Sequence, residues 1–292
     1  MRKFSGILTH PGSAHKDEFL ACCLLVATNE VTISRREPKQ GDLDDPSVAV
    51  VDVGGEHDPA RGNFDHHQFP KDHPPTCSLS LVLMDLGLYE DAQKYCDWLE
   101  VAEWFDTRGP QETAAWLGVE RELLSKLNST IDLTLLRRFA GMSEIGPGEP
   151  MWEVMKWIGG DLIGYLRSLR EKLNEIARIC EIWEIDHAEE NFRVLFLPRS
   201  ENLSDDASAG LARYAAGLPE DQRVTGMVYP DRRGAGFALS RFNDHPGFDF
   251  TRVGDEPDVH FAHARGFVAK VTATDPARIR ELLEKSWKPI GS

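Results

Sequence analysis

Long uncharged apolar runs are missing from this chain. No stretch reaches the roughly 18 residues that a membrane span needs, so a transmembrane helix is excluded. Cysteine is scarce: Cys22, Cys23, Cys77, Cys96 and Cys180 are five in number and form no Cys-x-x-Cys pair. That leaves no basis for a disulfide framework or a zinc ribbon, and the thiols read as small buried hydrophobes in a reducing compartment. Positive charge is in deficit, with 33 Lys and Arg against 48 Asp and Glu, a formal charge of −15 and a pI near 5.1. Capture of long duplex nucleic acid, which needs a basic footprint, is thereby disfavoured. A local positive site built from metal ions and a few arginines remains compatible with one phosphate or a short oligonucleotide. Internal repeats and low-complexity tracts are also missing, and Met1-Arg-Lys is followed by too short an apolar run for a secretory leader, so the chain reads as cytoplasmic.

What is present is an αβ pattern long enough, at 292 residues and 41% hydrophobic, for two domains. Residues 4–9, 31–35 and 47–53 read as short, β-branched, nearly continuous apolar strands, and 17–28 as a helix between the first two. Strand, helix and strand at this spacing predict βαβ units and a mostly parallel sheet, which binds ligands beyond the carboxyl ends of its strands. Residues 78–185 read as mainly helical, broken at Pro110, Gly146-Pro-Gly and Pro150. The segment from Met155 to about Trp183 reads as one amphipathic connector with Ile158, Leu162, Tyr165, Leu169, Leu173 and Ile176 on its apolar face. A second αβ block follows: a strand at 192–197, a helix at 205–216 capped by Ser204, a hairpin of 224–229 with 236–242, strands at 259–263 and 268–272, and a closing helix at 277–287. The expected fold is therefore α/β, with an N-terminal domain at 1–154, a connector at 155–185 and a smaller α/β domain at 186–292.

Hard metal ligands gather at the predicted strand ends. His10, His15 and Asp17 follow the first strand, Asp52 ends the third, and Asp65-His66-His67 comes soon after; Asp106 lies further on in Trp-Phe-Asp-Thr-Arg-Gly. Imidazole and carboxylate together suit Mn²⁺, Fe²⁺, Co²⁺ or Zn²⁺ better than Ca²⁺. Simpler roles exist for each residue: Asp17-Glu18 can open a helix at its positive dipole end, and Asp52 can cap the turn at Gly54-Gly55. Asp106 has many possible roles near a helix end. A carboxylate ending a buried strand, however, costs several kcal/mol unless paired or bound to a cation. Adjacent histidines point in different directions, so one can ligate while the other faces substrate.

This ordered set resembles the DHH phosphoesterase superfamily, and more closely the family of melanocyte proliferating gene one. The resemblance is carried by Thr9-His-x-Gly-x-x-His-x-Asp-Glu18, Val51-Asp-Val-Gly-Gly55, Phe64-Asp-His-His-Gln68 and the late Val259-His-Phe-Ala-His-Ala-Arg-Gly-Phe267. It implies a two-metal site, usually with manganese and with Mg²⁺, Co²⁺, Fe²⁺ or Zn²⁺ as alternatives. His10 and His15 are expected on one ion and Asp17 on the other, with Asp52 bridging and His66 and Asp106 completing the second. Asp65 and His67 are the expected catalytic pair, Asp65 orienting a histidine and His67 meeting the substrate. The chain departs from the superfamily in having His15 where most members have aspartate, and Asp106-Thr-Arg-Gly109 where the family has Asp-Asn-Gly. Arg265 fills the variable place of the late signature, and the glycine-rich run ending in histidine is absent.

The implied activity is two-metal phosphoester hydrolysis of short nucleotides or oligonucleotides, including 3′-to-5′ RNA exonuclease action. Arg241, His263, Arg265 and Gly266 are the expected substrate-binding residues of the second domain, although Arg241 also fits a solvated strand and His263 a core position. The alternative is a metal-dependent protein that holds a nucleotide without cutting it. A closed structural metal site fits poorly, because the ligands lie in loops at strand ends.

Overall fold

In a computed structural model the described residues are 3–127, 129–188, 190–200 and 207–288. The chain divides into two compact units, Met1–Arg167 and Ser168–Ser292. It forms, in order, β1 (Gly6–Thr9), α1 (Lys16–Thr28), β2 (Ile33–Arg35), α2 (Gln40–Asp44), β3 (Val48–Val51), β4 (His57–Asp58) and β5 (Asn63–Phe64). Helices α3 (Ser78–Asp85), α4 (Tyr89–Tyr95), α5 (Asp97–Leu117), α6 (Arg121–Lys126) and α7 (Thr130–Ala140) follow, then β6 (Glu144–Ile145) and α8 (Pro150–Ile179). The rest is β7 (Glu181–Ile185), β8 (Phe192–Phe196), α9 (Ala207–Ala216), β9 (Gly226–Pro230), β10 (Phe237–Arg241), β11 (Val259–Ala262), β12 (Val268–Val271) and α10 (Pro276–Ser286).

The first unit carries a sheet ordered β4-β5-β3-β1-β2-β6. Its centre is parallel, β5 beside β3 beside β1 beside β2, and both edge pairings are antiparallel. The parallel strands are buried because α1 and its neighbours bring a wholly apolar wall, with Ala21, Cys22, Cys23, Leu24, Leu25 and Val26 all inaccessible or nearly so. Helix α8 approaches α1 so closely that a Cβ on Gly159 would collide with the backbone of Cys23, which only glycine avoids. The short strands β4, β5 and β6 are too brief to show a sequence period, and only their pairing defines them.

The second unit has a sheet ordered β11-β12-β10-β9-β8-β7, parallel only between β8 and β9. The predicted hairpin is present as β9 and β10, with Phe237 opposite Pro230 and Arg241 opposite Gly226. Its core packs Phe192, Phe248, Phe250, Trp287 and the inward residues of the strands against α10. The predicted helix start at Ser204 and Asp205 lies outside the described residues.

One expectation needs correction. The connector does not run on to Trp183: α8 ends at Ile179, and Glu181–Ile185 is a strand pairing antiparallel with β8. Alternation decides this segment, since Trp183 and Ile185 are buried while Glu184 between them faces solvent, and Trp183 stacks on Phe196 at 4.0 Å. Within α8 the buried stripe is Met155, Ile163, Leu166, Leu169, Leu173 and Ile176, and Tyr165 lies on the exposed side. The expected break at Pro110 is present: α5 is two helical stretches joined at Gly109, which takes φ 77° and ψ 170° immediately before Pro110 opens the second. Among the described residues no helix is long and apolar enough to cross a membrane.

Candidate metal centre

Sheet register builds the site. Thr9 lies beside Val51, and Val51 beside Phe64, so the next residue of each strand, His10, Asp52 and Asp65, leaves the sheet at one level. Adjacent strands are about 4.8 Å apart, so three polar side chains meet at the carboxyl edge of the parallel sheet. Asp52 turns there with φ 59°, a left-handed conformation that few non-glycine residues adopt. Its backbone N–H still donates to the Phe64 carbonyl, and its carboxylate accepts from Ser78 Oγ at 2.9 Å, at the start of α3. The first turn of α1 brings Asp17 to the same edge, and α5 brings Asp106 just before its kink.

Two groups of potential ligand atoms result, each with its members within 4.8 Å of one another: Asp17, Asp52, His66 and Asp106, and His10, His15 and Asp52. Asp52 belongs to both. His66 Nε2 lies 3.1 Å from Asp52 Oδ1 and 2.9 Å from Asp106 Oδ2, and His10 Nε2 lies 3.5 Å from Asp52 Oδ2. His15 Nδ1 is 3.5 Å from Asp106 Oδ1. A third group, Asp52, Asp65, His66 and His67, overlaps these. There Asp65 Oδ1 accepts from His67 Nδ1 at 2.7 Å, while Asp65 Oδ2 accepts from the Gly55 N–H at 2.6 Å.

The donor set fits divalent metal. Asp17 is 1% exposed and neither of its carboxylate oxygens has a hydrogen-bond partner; His66 Nε2 and Asp106 Oδ2 are also buried and unsatisfied, their close approach falling off the hydrogen-bond axis. Unpaired buried carboxylates are costly, and a cation among them removes the cost. The electrostatics report the same crowding. Burial, then Asp52 and Asp106, pushes the Asp17 carboxyl well above its ordinary range. Burial disfavours a charged His66, yet Asp106 and Asp52 outweigh it and push the imidazole up to about 10. Asp106 moves down: burial opposes ionisation, but His15 and His66 hold it below the usual carboxylate range. Asp65 raises His67 in the same way.

Beside these groups lies a cavity of about 390 Å³ lined by His10, His15, Asp52, Val53, Gly54, Gly55, Asp65 and His67. His67 is well exposed, and with Nδ1 donating to Asp65 its Nε2 is left available.

Two residues at the site have no role there in the sequence reading. Glu18, read as a helix-opening acid, is fully buried and its Oε2 contacts His10 Nε2. Arg35, almost as buried, donates to Glu18 Oε1 at 3.0 Å and to the carbonyls of Gly12, Ser13 and Phe139. The sequence offers a signal for Glu18, which stands beside Asp17, and none for Arg35.

The four substrate-binding candidates of the second unit lie together at one end of its sheet. Arg241 ends β10, and its Nη2 approaches the Arg265 carbonyl at 3.4 Å. His263 Nδ1 accepts from the Arg265 N–H at 3.1 Å, and the ring stacks on Phe267 at 3.9 Å. Gly266 turns between β11 and β12 with φ 67°, and a Cβ there would collide with the Asp249 carboxylate.

Fold and site together define an α/β protein whose first unit presents a histidine–aspartate cluster able to hold divalent ions. Residues 6–82 match the model of an uncharacterised protein family (UPF0160), which bears out the resemblance for that segment. The rat and human proteins called MYG1 exonuclease (Rattus norvegicus and Homo sapiens) are 45% identical to this chain over 64 and 65 residues. Those alignments cover 20% of this chain and 16% of each relative. A solved pGpG-specific phosphodiesterase, PggH from Vibrio cholerae, aligns over 96% of this chain and 97% of its own, at 13% identity and a TM-score of 0.29, a likeness too low to carry weight.

Proposed function

We propose that this chain is a metal-dependent phosphohydrolase acting on short nucleotides or oligonucleotides, with 3′-to-5′ exonuclease action on RNA as its specific form. The observation that carries this reading is the sharing of Asp52 between two ligand groups, one of which contains the buried, unpartnered Asp17. The name of the rat and human relatives, MYG1 exonuclease, supports the choice of a nucleic-acid ester as substrate.

In this reading His10, His15 and Asp52 hold one ion, and Asp17, Asp52, His66 and Asp106 hold the other. Two bound divalent ions, manganese being our choice, supply Lewis-acid stabilisation of the phosphoryl group and water of lowered pKa. The chain's own residues do the rest. Asp65 fixes the His67 ring through Nδ1 and favours its protonated form, in which Nε2 also carries a hydrogen and can donate that proton to the departing oxygen or a hydrogen bond to the phosphoryl group. The turn at Gly54-Gly55 borders the cavity and anchors Asp65 through the Gly55 N–H. We assign residues 1–154 to catalysis and 186–292 to substrate binding, where Arg241 and Arg265 take an anionic group of the substrate beside His263 and Gly266. The formal charge of −15 favours a short substrate over a long polyanion.

The test is turnover of RNA about two to five residues long by purified protein supplied with manganese. Cleavage by the wild type and none by Asp52→Ala is the expected result. Activity that survives Asp52→Ala overturns the mechanism, and thermal stabilisation by nucleotides without any cleavage favours a protein that only holds its ligand.

A further inference from the structure

The Glu18 side chain is fully buried, and one of its oxygens, Oε2, has no hydrogen-bond partner. The other is fixed: Oε1 accepts from Arg35 Nη2 at 3.0 Å, and Arg35 is itself held by the carbonyls of Gly12, Ser13 and Phe139. Glu18 therefore cannot swing away, and Oε2 is aimed at His10 Nε2, with which it is in contact.

The tautomer of His10 makes this contact informative. His10 Nδ1 lies 2.9 Å from the Pro11 carbonyl, which can only accept, so Nδ1 carries the hydrogen. In the neutral ring Nε2 then presents a lone pair, and it faces Glu18 Oε2 and, at 3.5 Å, Asp52 Oδ2. With both acids ionised, these three atoms are all acceptors, an arrangement that repels unless something positive lies between them. His15 and Asp52 already group with His10 as potential ligands of one ion. Of those three only Asp52 is negatively charged, and it is shared with the neighbouring group.

We propose that Glu18 is a direct ligand, through Oε2, of the divalent ion held by His10, His15 and Asp52. It supplies that position with a carboxylate of its own, so each ion is bound by at least one unshared acid, Glu18 on one side and Asp17 with Asp106 on the other. Arg35 is the positioning residue: it occupies Oε1 and leaves Oε2 as the sole oxygen for the metal. This inference rests on the two-ion reading above and adds to it a ligand and a reason for the buried Arg35.

Manganese titration of metal-free protein, followed by calorimetry and by the electron paramagnetic resonance of the bound ion, tests it. The wild type is expected to take up two ions. Folded Glu18→Gln, which keeps the shape and an oxygen facing Arg35, is expected to bind one ion as before and the other more than about 100-fold more weakly. That exceeds the 10- to 100-fold loss typical when only an outer partner of a ligand is removed. A smaller loss overturns the proposal. A manganese-bound crystal structure of the wild type needs no variant: Glu18 Oε2 at about 2.2 Å from an ion supports the assignment, and a distance beyond about 3 Å overturns it. If the wild type itself binds no divalent ion, the two-ion reading fails; if it binds two and Glu18→Gln does too with unchanged affinity, only the assignment of Glu18 fails.

Discussion

Replacing Asp17 by asparagine should stabilise the metal-free protein while removing much of its response to metal. Asp17 is buried with both oxygens unpartnered, and its carboxylate lies within 4.8 Å of the ligand atoms of Asp52 and Asp106. Two unit charges at 4.8 Å repel by about 3.5 kcal/mol at an effective dielectric of about 20. The metal-free protein relieves part of this by holding the Asp17 proton, since burial and the neighbouring carboxylates raise its pKa well above the ordinary value. That retention is itself a cost at neutral pH, because the unfolded chain ionises freely. An amide carries no charge and offers two N–H donors to Asp52 and Asp106. The expected gain is about 1–3 kcal/mol, in the range seen when buried ions give way to neutral side chains. At about 2–4 °C per kcal/mol for a unit of this size, the metal-free midpoint rises by about 2–12 °C. With manganese the order reverses. At a concentration about 100 times the dissociation constant, an ion that binds only the folded state stabilises it by about 2.7 kcal/mol, and Asp17→Asn forfeits that for the ion it would hold. Differential scanning fluorimetry at pH 7, with chelator and then with manganese, reads both effects. An Asp17→Asn protein less stable than wild type in chelator, or one with an undiminished manganese shift, refutes the reasoning.

Two further predictions concern parts of the fold away from the ligands. Trp183→Ala should cost about 3–5 kcal/mol in urea unfolding followed by circular dichroism, because the buried ring stacks on Phe196 at 4.0 Å and lies under Arg280 at 4.1 Å. A loss under about 1 kcal/mol would mean that β7 contributes little to the second unit. Glu103 in α5 is buried and accepts from Ser80 Oγ at 2.6 Å and Tyr89 OH at 2.7 Å. Burial raises its carboxyl above the ordinary 4.5 despite these bonds. The folded state therefore holds this proton more tightly than the unfolded state, and the contribution present below pH 4.5 is lost as pH rises through the folded value. Glu103→Gln should flatten that decline, so that variant and wild type diverge upward from about pH 4.5 in chemical denaturation; parallel curves refute it.

The local elements and the kind of chemistry are legible along the chain. The strands ending at Thr9 and Val51 announce themselves as short β-branched runs, and the ligand types that follow them stand at strand ends where an open parallel sheet exposes its site. The hairpin of β9 and β10 and the closing helix α10 are equally local in origin. Where two periods compete, the sequence misleads: residues 181–185 continue the apolar spacing of α8 well enough to pass as its last turn, and only pairing with β8 and the stack on Phe196 make them a strand.

Convergence belongs to the tertiary structure alone. Lateral register sets His10, Asp52 and Asp65 at one level, and packing of α5 brings Asp106 to within 2.9 Å of His66. The same packing buries Glu18 between His10 and Arg35, turning an acid that suits any helix start into a fixed, unsatisfied carboxylate. The chemical identity of a ligand is a property of one residue and can be read where it stands. The space that several ligands enclose depends on contacts between segments far apart in the chain, and no local pattern encodes those distances.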